Sequence, residues 1–159
     1  GAGAGTLLAR AADAWADRAG GTSGALWGIG LNAIAAVLGD EGRPDATVIA
    51  GGVAAARAAV IAFGKAELGD KTLVDVLVPF SRALEARAAE GESLASAWGG
   101  ATDIAEESAE ATAALLPRIG RARTHLQASL GTRDAGAVSL ALICRAIHRE
   151  LLNTEEQEN

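Results

Sequence analysis

The sequence predicts an all-α protein, an antiparallel helical barrel or bundle, and three observations carry that expectation. About a quarter of the 159 residues are Ala, the strongest helix former, whereas Tyr is absent and Phe occurs twice. Apolar residues recur at three- and four-residue spacing in the long segments, which places them on one face of a helix. Gly or Pro punctuates those segments. A sandwich or barrel of strands is excluded by the same composition, and small side chains let helices approach closely.

Helices are expected at 5–19, 24–38, 45–64, 71–90, 93–116 and 135–152. The first is closed by Gly20-Gly21, and the second opens on Ala25-Leu26-Trp27. Gly39, Gly42 and Pro44 mark the turn before the third. In the fourth, Leu73, Val76, Leu77, Phe80 and Leu84 share a face that is core, and Pro79 inside it predicts a kink. The fifth starts from Ser93 as its cap and buries Leu94, Trp98, Ala101, Ile104, Ala105 and Leu115. Its other side carries Asp103, Glu106, Glu107 and Glu110, read as a solvated face. The sixth contains the apolar run from Val138 to Ile147. A tail from Thr154 to Asn159 is expected to fray, so one domain is expected over 1–153 with 154–159 disordered.

A formal charge of −6 argues against a nucleic-acid surface, which needs clustered Lys and Arg. No apolar run approaches the roughly 18 residues of a membrane span, and no basic-then-apolar signal peptide opens the chain. Gly5 stands where a myristoylation signal needs Ser or Thr. A cytoplasmic setting without membrane contact is therefore expected. The lone Cys144 cannot form an internal disulfide and reads as an inert core thiol, and no Cys/His cluster has zinc spacing.

Four irregular stretches lie at helix ends. Gly20-Gly21-Thr22-Ser23-Gly24 combines tight-turning glycines, hydroxyls and a following helix whose first N–H groups face outward, which is a phosphate cradle in physical terms. It lacks the Gly-Lys-Ser/Thr ending of a Walker loop and follows no strand, and by itself it reads as a plain Gly-rich helix connection. Gly64-Lys65-Ala66-Glu67-Leu68-Gly69-Asp70-Lys71-Thr72 reads alone as a turn in which Asp70 caps the next helix beside solvated lysines. Gly120-Arg121-Ala122-Arg123 lies in a long connection, 117–133, that also carries Arg118 and Arg133. It is the basic part of an acidic chain, and an anion site is inferred there. Asp134-Ala135-Gly136-Ala137 reads alone as the cap of the last helix.

In this order and spacing the four stretches resemble the nucleotide-binding domain of the dihydroxyacetone kinases, also found as the separate L subunit of phosphotransferase-linked systems. The family's Gly-Gly-small-Ser-Gly matches residues 20–24, Gly-Asp-Lys-Thr matches 69–72, Gly-Arg-Ala matches 120–122, and Asp-Pro-Gly-Ala matches 134–137 with Ala135 in place of Pro. Asp75 and Pro79 also fall where the family has them, and Arg123-Thr124-His125 stands where Ser-Tyr is usual. The resemblance runs from about residue 6 to 152.

It implies a barrel of eight antiparallel helices that binds ATP or ADP among the loops at one end, of which this chain supplies six. The absent parts are the N-terminal pair and the acidic motif whose aspartates bind magnesium in the family, so the Mg²⁺ ligands are expected in a preceding segment and this chain is expected to be inactive alone. Asp13 and Asp17 lie in a helix aligned elsewhere. By the same resemblance, Gly21, Thr22, Ser23 and Gly24 meet the nucleotide phosphates, and Gly64, Thr72 and Leu73 flank the nucleotide. Arg121 meets phosphate, and Asp134, Ala135 and Gly136 close around the base and ribose.

None of these is a nucleophile or general base, which suits phosphoryl transfer driven by positioning and charge neutralisation. A partner domain or subunit is implied to hold the ketose through a histidine, a role not assigned to His125 or His148, and pairing of two copies stays open. The implied function is ATP-dependent phosphorylation of dihydroxyacetone (glycerone) or a related triose or tetrulose, as in glycerol metabolism. The alternatives are an L subunit with tightly held ADP, and a noncatalytic helical binding module.

Overall fold

The computed structural model describes residues 1–119 and 127–158. Among them the chain is all-α: α1 (Ala4–Ala19), α2 (Gly21–Leu38), α3 (Ala46–Gly64), α4 (Val74–Ala89), α5 (Leu94–Ala111), a single 3₁₀ turn (Thr112–Ala114), and α6 (Ala135–Glu158). The chain divides into two compact units, Gly1–Lys65 and Ala66–Asn159. The chain leaves α3 at Lys65 in a left-handed conformation, φ 54°, and helices α1–α3 and α4–α6 each pack within their own unit.

In the first unit, small residues set the spacing. A side chain on Gly5 would meet the Ala35 and Gly39 carbonyl oxygens at 2.7 and 2.8 Å, so the start of α1 lies on the backbone at the end of α2. Gly5 N donates to Gly39 O at 2.7 Å, and Thr6 donates from its amide and hydroxyl to the Asp40 carboxylate at 2.8 and 2.5 Å. Those two donors hold the Asp40 carboxyl below its ordinary value. At the other end Gly24 faces Ala16 and Ala19, and the two helices are antiparallel. Helix α3 returns antiparallel along α2, with Gly64 against Leu26, Gly30 against Val60 and Gly52 against Ile34. Asp45 caps α3 by accepting from Val48 N at 2.9 Å.

The second unit has the larger side chains. Val76, Leu77, Phe80 and Leu84 of α4 are buried, as their spacing predicts, whereas Leu73 is only half-buried. Phe80 meets Trp98 of α5 edge-on at 5.0 Å, and Trp98 Nε1 donates to Cys144 O of α6 at 2.9 Å, so one indole ties three helices together. Burying side chains of this size contributes about 1.5–3 kcal/mol each. Ile104, expected in the core, is exposed instead. The acidic side of α5 is exposed as read from the sequence, and Arg145 of α6 braces it, donating to Asp103 and to both Glu106 oxygens at 2.7–2.8 Å.

Several boundaries differ from expectation. Helix α2 starts at Gly21, three residues early, so Thr22 and Ser23 sit in its first turn and not in a loop. Helix α4 starts at Val74, because Lys71 is left-handed at φ 61° and cannot be helical. It continues through Pro79. Helix α5 ends at Ala111; Thr112 Oγ1 turns back to donate to Ala109 O at 2.6 Å, and Pro117 disfavours helix just before it. Helix α6 runs on to Glu158 where a disordered tail from 154 was expected, since no Gly or Pro interrupts it and Thr154 Oγ1 donates to Glu150 O at 2.9 Å.

Contrary to the sequence expectation, Gly21–Leu38 and Ala46–Gly64 are by length and composition apolar enough to cross a membrane, with mean hydropathy 1.4 and 1.8. Interspersed Gly, Thr and Asn hide this in an inspection for unbroken apolar runs. Core helices of soluble proteins meet the same criterion, and both helices pack through small residues within the first unit.

Candidate functional site

In the first unit, five of the predicted residues stand at one end of the three-helix unit. Helix α1 stops at Gly20, whose φ of 61° and ψ of 173° are open to Gly and hardly to other residues, and Gly21 repeats the positive φ. A side chain on either would meet nothing within 4 Å, so this turn is open on its outer side. Helix α2 begins at once with no side-chain cap, and Thr22 and Ser23 are exposed in its first turn. The arrangement offers backbone N–H groups, two hydroxyls and the positive end of an uncharged 18-residue helix in one place, which is what an anionic oxygen requires. Gly24 serves packing instead, lying 3.1 Å by its notional side chain from Ala16 O. Gly64 is brought to the same end by the antiparallel register of α2 and α3, with Leu26 beside it.

The second unit holds a buried polar cluster that the sequence only partly indicates. Asp75 accepts from Gly69 N at 2.6 Å through one oxygen and from Thr72 N at 2.9 Å through the other. Thr72 Oγ1 accepts from Val74 N at 3.1 Å, so Thr72 and Asp75 together satisfy backbone N–H groups ahead of and at the start of α4. Asp70 does not cap α4 as expected; its carboxylate accepts from Glu67 N at 2.8 Å and closes the preceding turn. Nor is Lys71 solvated. It is 4% exposed, and its Nζ donates to Leu115 O at 3.0 Å and Ser129 O at 2.6 Å. Lys65, the other lysine, is exposed.

Across this cluster lies the start of α6. Asp134 Oδ2 accepts from Ala137 N at 2.8 Å as the helix cap, and Asp134 N donates to the buried Thr112 Oγ1 at 2.9 Å. Burial pushes the Asp134 carboxyl above its ordinary value; the Asp75 charge adds to that shift, and the Ala137 amide and the Lys71 charge oppose it. A side chain on Gly136 would stand 3.2 Å from Asp134 Oδ2 and 3.5 Å from Leu73 Cβ. The fold therefore unites Leu73 of the second motif with Asp134 and Gly136 of the fourth. Ala135 is exposed beside them.

Arg121 and the whole of the third motif lie outside the described residues. Of the basic loop, Arg133 is paired with Glu110, while Arg118 uses its backbone N–H on Asp70 O at 3.2 Å. Lys71 and Thr112 are the members that sequence reading missed. Nothing local distinguishes Lys71 from a surface lysine, whereas the Thr72–Asp75 pair is visible as a hydroxyl residue followed three positions later by an acid. Among the described residues, no three His, Cys, Asp or Glu side chains are grouped to hold a metal. The carboxylates of Asp70, Asp75 and Asp134 are each engaged by backbone N–H groups, so the described residues of this cluster do not fit Mg²⁺.

An all-α chain with a glycine-capped helix start and a Gly-Asp-Lys-Thr turn has close counterparts. The DAK2 domain profile matches residues 1–149, and this chain belongs to that family, the helical domain of the dihydroxyacetone kinases. It is 61% identical over 146 residues to an L-erythrulose kinase of Pectobacterium atrosepticum, covering 92% of this chain and 25% of that protein. Similarity to a D-erythrulose kinase of Mycolicibacterium smegmatis is 55% over 147 residues, again 92% of this chain and 25% of the relative. The chain thus spans about a quarter of these relatives. The ADP-binding subunit of the PEP-dependent dihydroxyacetone kinase of Escherichia coli is 38% identical over 88 residues, 55% of this chain and 42% of that subunit. The crystal structure of the dihydroxyacetone kinase of C. freundii superimposes with a TM-score of 0.68 at 25% identity, over 92% of this chain and 24% of that one.

Proposed function

We propose that the chain is the nucleotide-binding domain of an ATP-dependent kinase of short ketoses. The observation that carries this reading is the open, uncapped start of α2, where Gly20 and Gly21 leave room and Thr22 and Ser23 supply hydroxyls for phosphate oxygens. In this reading Gly21, Thr22, Ser23 and Gly24 receive the phosphates, and Gly64, Thr72 and Leu73 flank the nucleotide. Asp134, Ala135 and Gly136 meet the base and ribose, and Arg121 meets phosphate.

The residues' part in phosphoryl transfer is to hold and orient the nucleotide, since a loose transition state asks for positioning and charge compensation more than for a protein nucleophile. A C. freundii dihydroxyacetone kinase has been crystallised with AMP-PNP and Mg²⁺. When bound, Mg²⁺ would offset phosphate charge, and its ligands belong outside the residues described. The ketose belongs to a separate domain or subunit in a cytoplasmic enzyme. Similarity to two erythrulose kinases favours a tetrulose over a triose.

A second reading, an L subunit whose ADP is rephosphorylated by a carrier protein, is favoured by the match to the Escherichia coli subunit. One assay separates them: the natural full-length polypeptide is given erythrulose or dihydroxyacetone with ATP alone, and phosphate transfer is followed. Turnover with free ATP supports the first reading. Turnover only when a phosphocarrier is added supports the second, and neither, with no ADP bound, leaves a noncatalytic helical module.

A further inference from the structure

The geometry points to Lys71 as a positioning residue of the nucleotide site, acting by clamping the chain on either side of it, and this rests on the nucleotide reading above. The ammonium is buried and bonded to two backbone carbonyls distant in sequence, Leu115 just after the 3₁₀ turn and Ser129 shortly before α6. Its own backbone connects directly to Thr72 and Leu73, and Ser129 lies five residues before Asp134. A single side chain therefore fixes the segment carrying Thr72 and Leu73 relative to the one carrying Asp134 and Gly136, which meet at the Leu73–Gly136 contact.

Two costs fall on this one residue. Its backbone is left-handed at φ 61° without being Gly, and its charge is withdrawn from water onto two backbone carbonyls. An apolar side chain would join the segments without the second of these costs. Strained backbone and a buried charge at one position persist where the surrounding structure needs a particular geometry, and here that geometry is the spacing of two site segments.

The test uses the natural full-length polypeptide with Lys71→Met and Lys71→Arg, reading KM for ATP, KM for the ketose, kcat and ADP affinity. The clamp predicts that Lys71→Met raises KM for ATP and Kd for ADP about tenfold or more, with KM for the ketose unchanged within about twofold. Lys71→Arg, which keeps charge and donors, recovers most of the loss. Unchanged nucleotide affinity in Lys71→Met overturns the inference. So does a parallel loss of heat stability and of both KM values that Lys71→Arg fails to rescue, the mark of a purely structural role. If Lys71→Met does not fold, hydrogen exchange on the unmodified protein decides. Adding ADP must protect residues 70–73 and 127–134 together, and protection of only one segment overturns the clamp. Should the unmodified protein bind no ADP at all, the nucleotide reading itself fails and takes the clamp with it.

Discussion

Asp134 sits under electrostatic tension at the start of α6. Its carboxyl is half-buried, faces the Asp75 charge, and titrates above its ordinary value of 3.8. The fold therefore holds this proton more tightly than the unfolded chain does, so the associated stability is present at low pH and lost as pH rises above 3.8 through the folded value. Asp134→Asn keeps the cap to Ala137 N without the charge. Thermal unfolding should show the variant gaining on the parent at about pH 7, with the gap closing towards about pH 4; a gap that widens on acidification would contradict the assignment. Cys144 presents the opposite case of a silent group. It is 2% exposed and its thiol is pushed up to about 12 by burial. A thiol reagent should leave it unmodified in the native protein and label it fully after denaturation, whereas rapid native labelling would show that α6 opens.

Among the helices, small residues matter by where they sit. Gly5 lies on the carbonyls of Ala35 and Gly39, so Gly5→Ala must push α1 off α2 and should cost about 1–3 kcal/mol in denaturant unfolding. Gly51 in α3 is exposed, and its notional side chain meets only Val37 Cγ1 at 3.8 Å, so Gly51→Ala should stabilise by about 0.5–1 kcal/mol. Equal effects at the two positions would refute the close approach of α1 and α2. These helices were legible because Ala-rich segments with apolar residues at three- and four-residue spacing have few alternatives. Their ends were less so. The start of α4 depends on a left-handed Lys71 whose conformation is fixed by carbonyls that the sequence places 44 and 58 residues away. The start of α2 moved because Gly20 and Gly21 both take positive φ and complete the turn at once, so the helix opens on Gly21. Helix α6 outran its expected end because an acidic tail without Gly or Pro has no local reason to stop.

For the protein as a whole, the order of four short motifs indicated the family, while the physical content of each motif needed coordinates. The phosphate cradle was readable because glycines, hydroxyls and a helix start are local features. The polar cluster of Asp70, Lys71, Asp75, Thr112 and Asp134 was not, since hydrogen bonds between distant segments leave no periodicity. Length and composition bound the amount of core and not its division into compact units. The central claim is that the glycine-capped start of α2 binds the phosphates of a nucleotide, and calorimetric titration of ADP tests it most directly. The account predicts one ADP bound per chain in the natural full-length polypeptide, with affinity falling about tenfold or more when Thr22→Ala and Ser23→Ala remove two hydroxyl contacts to charged oxygens. Absence of binding, or undiminished binding by the double variant, would contradict it.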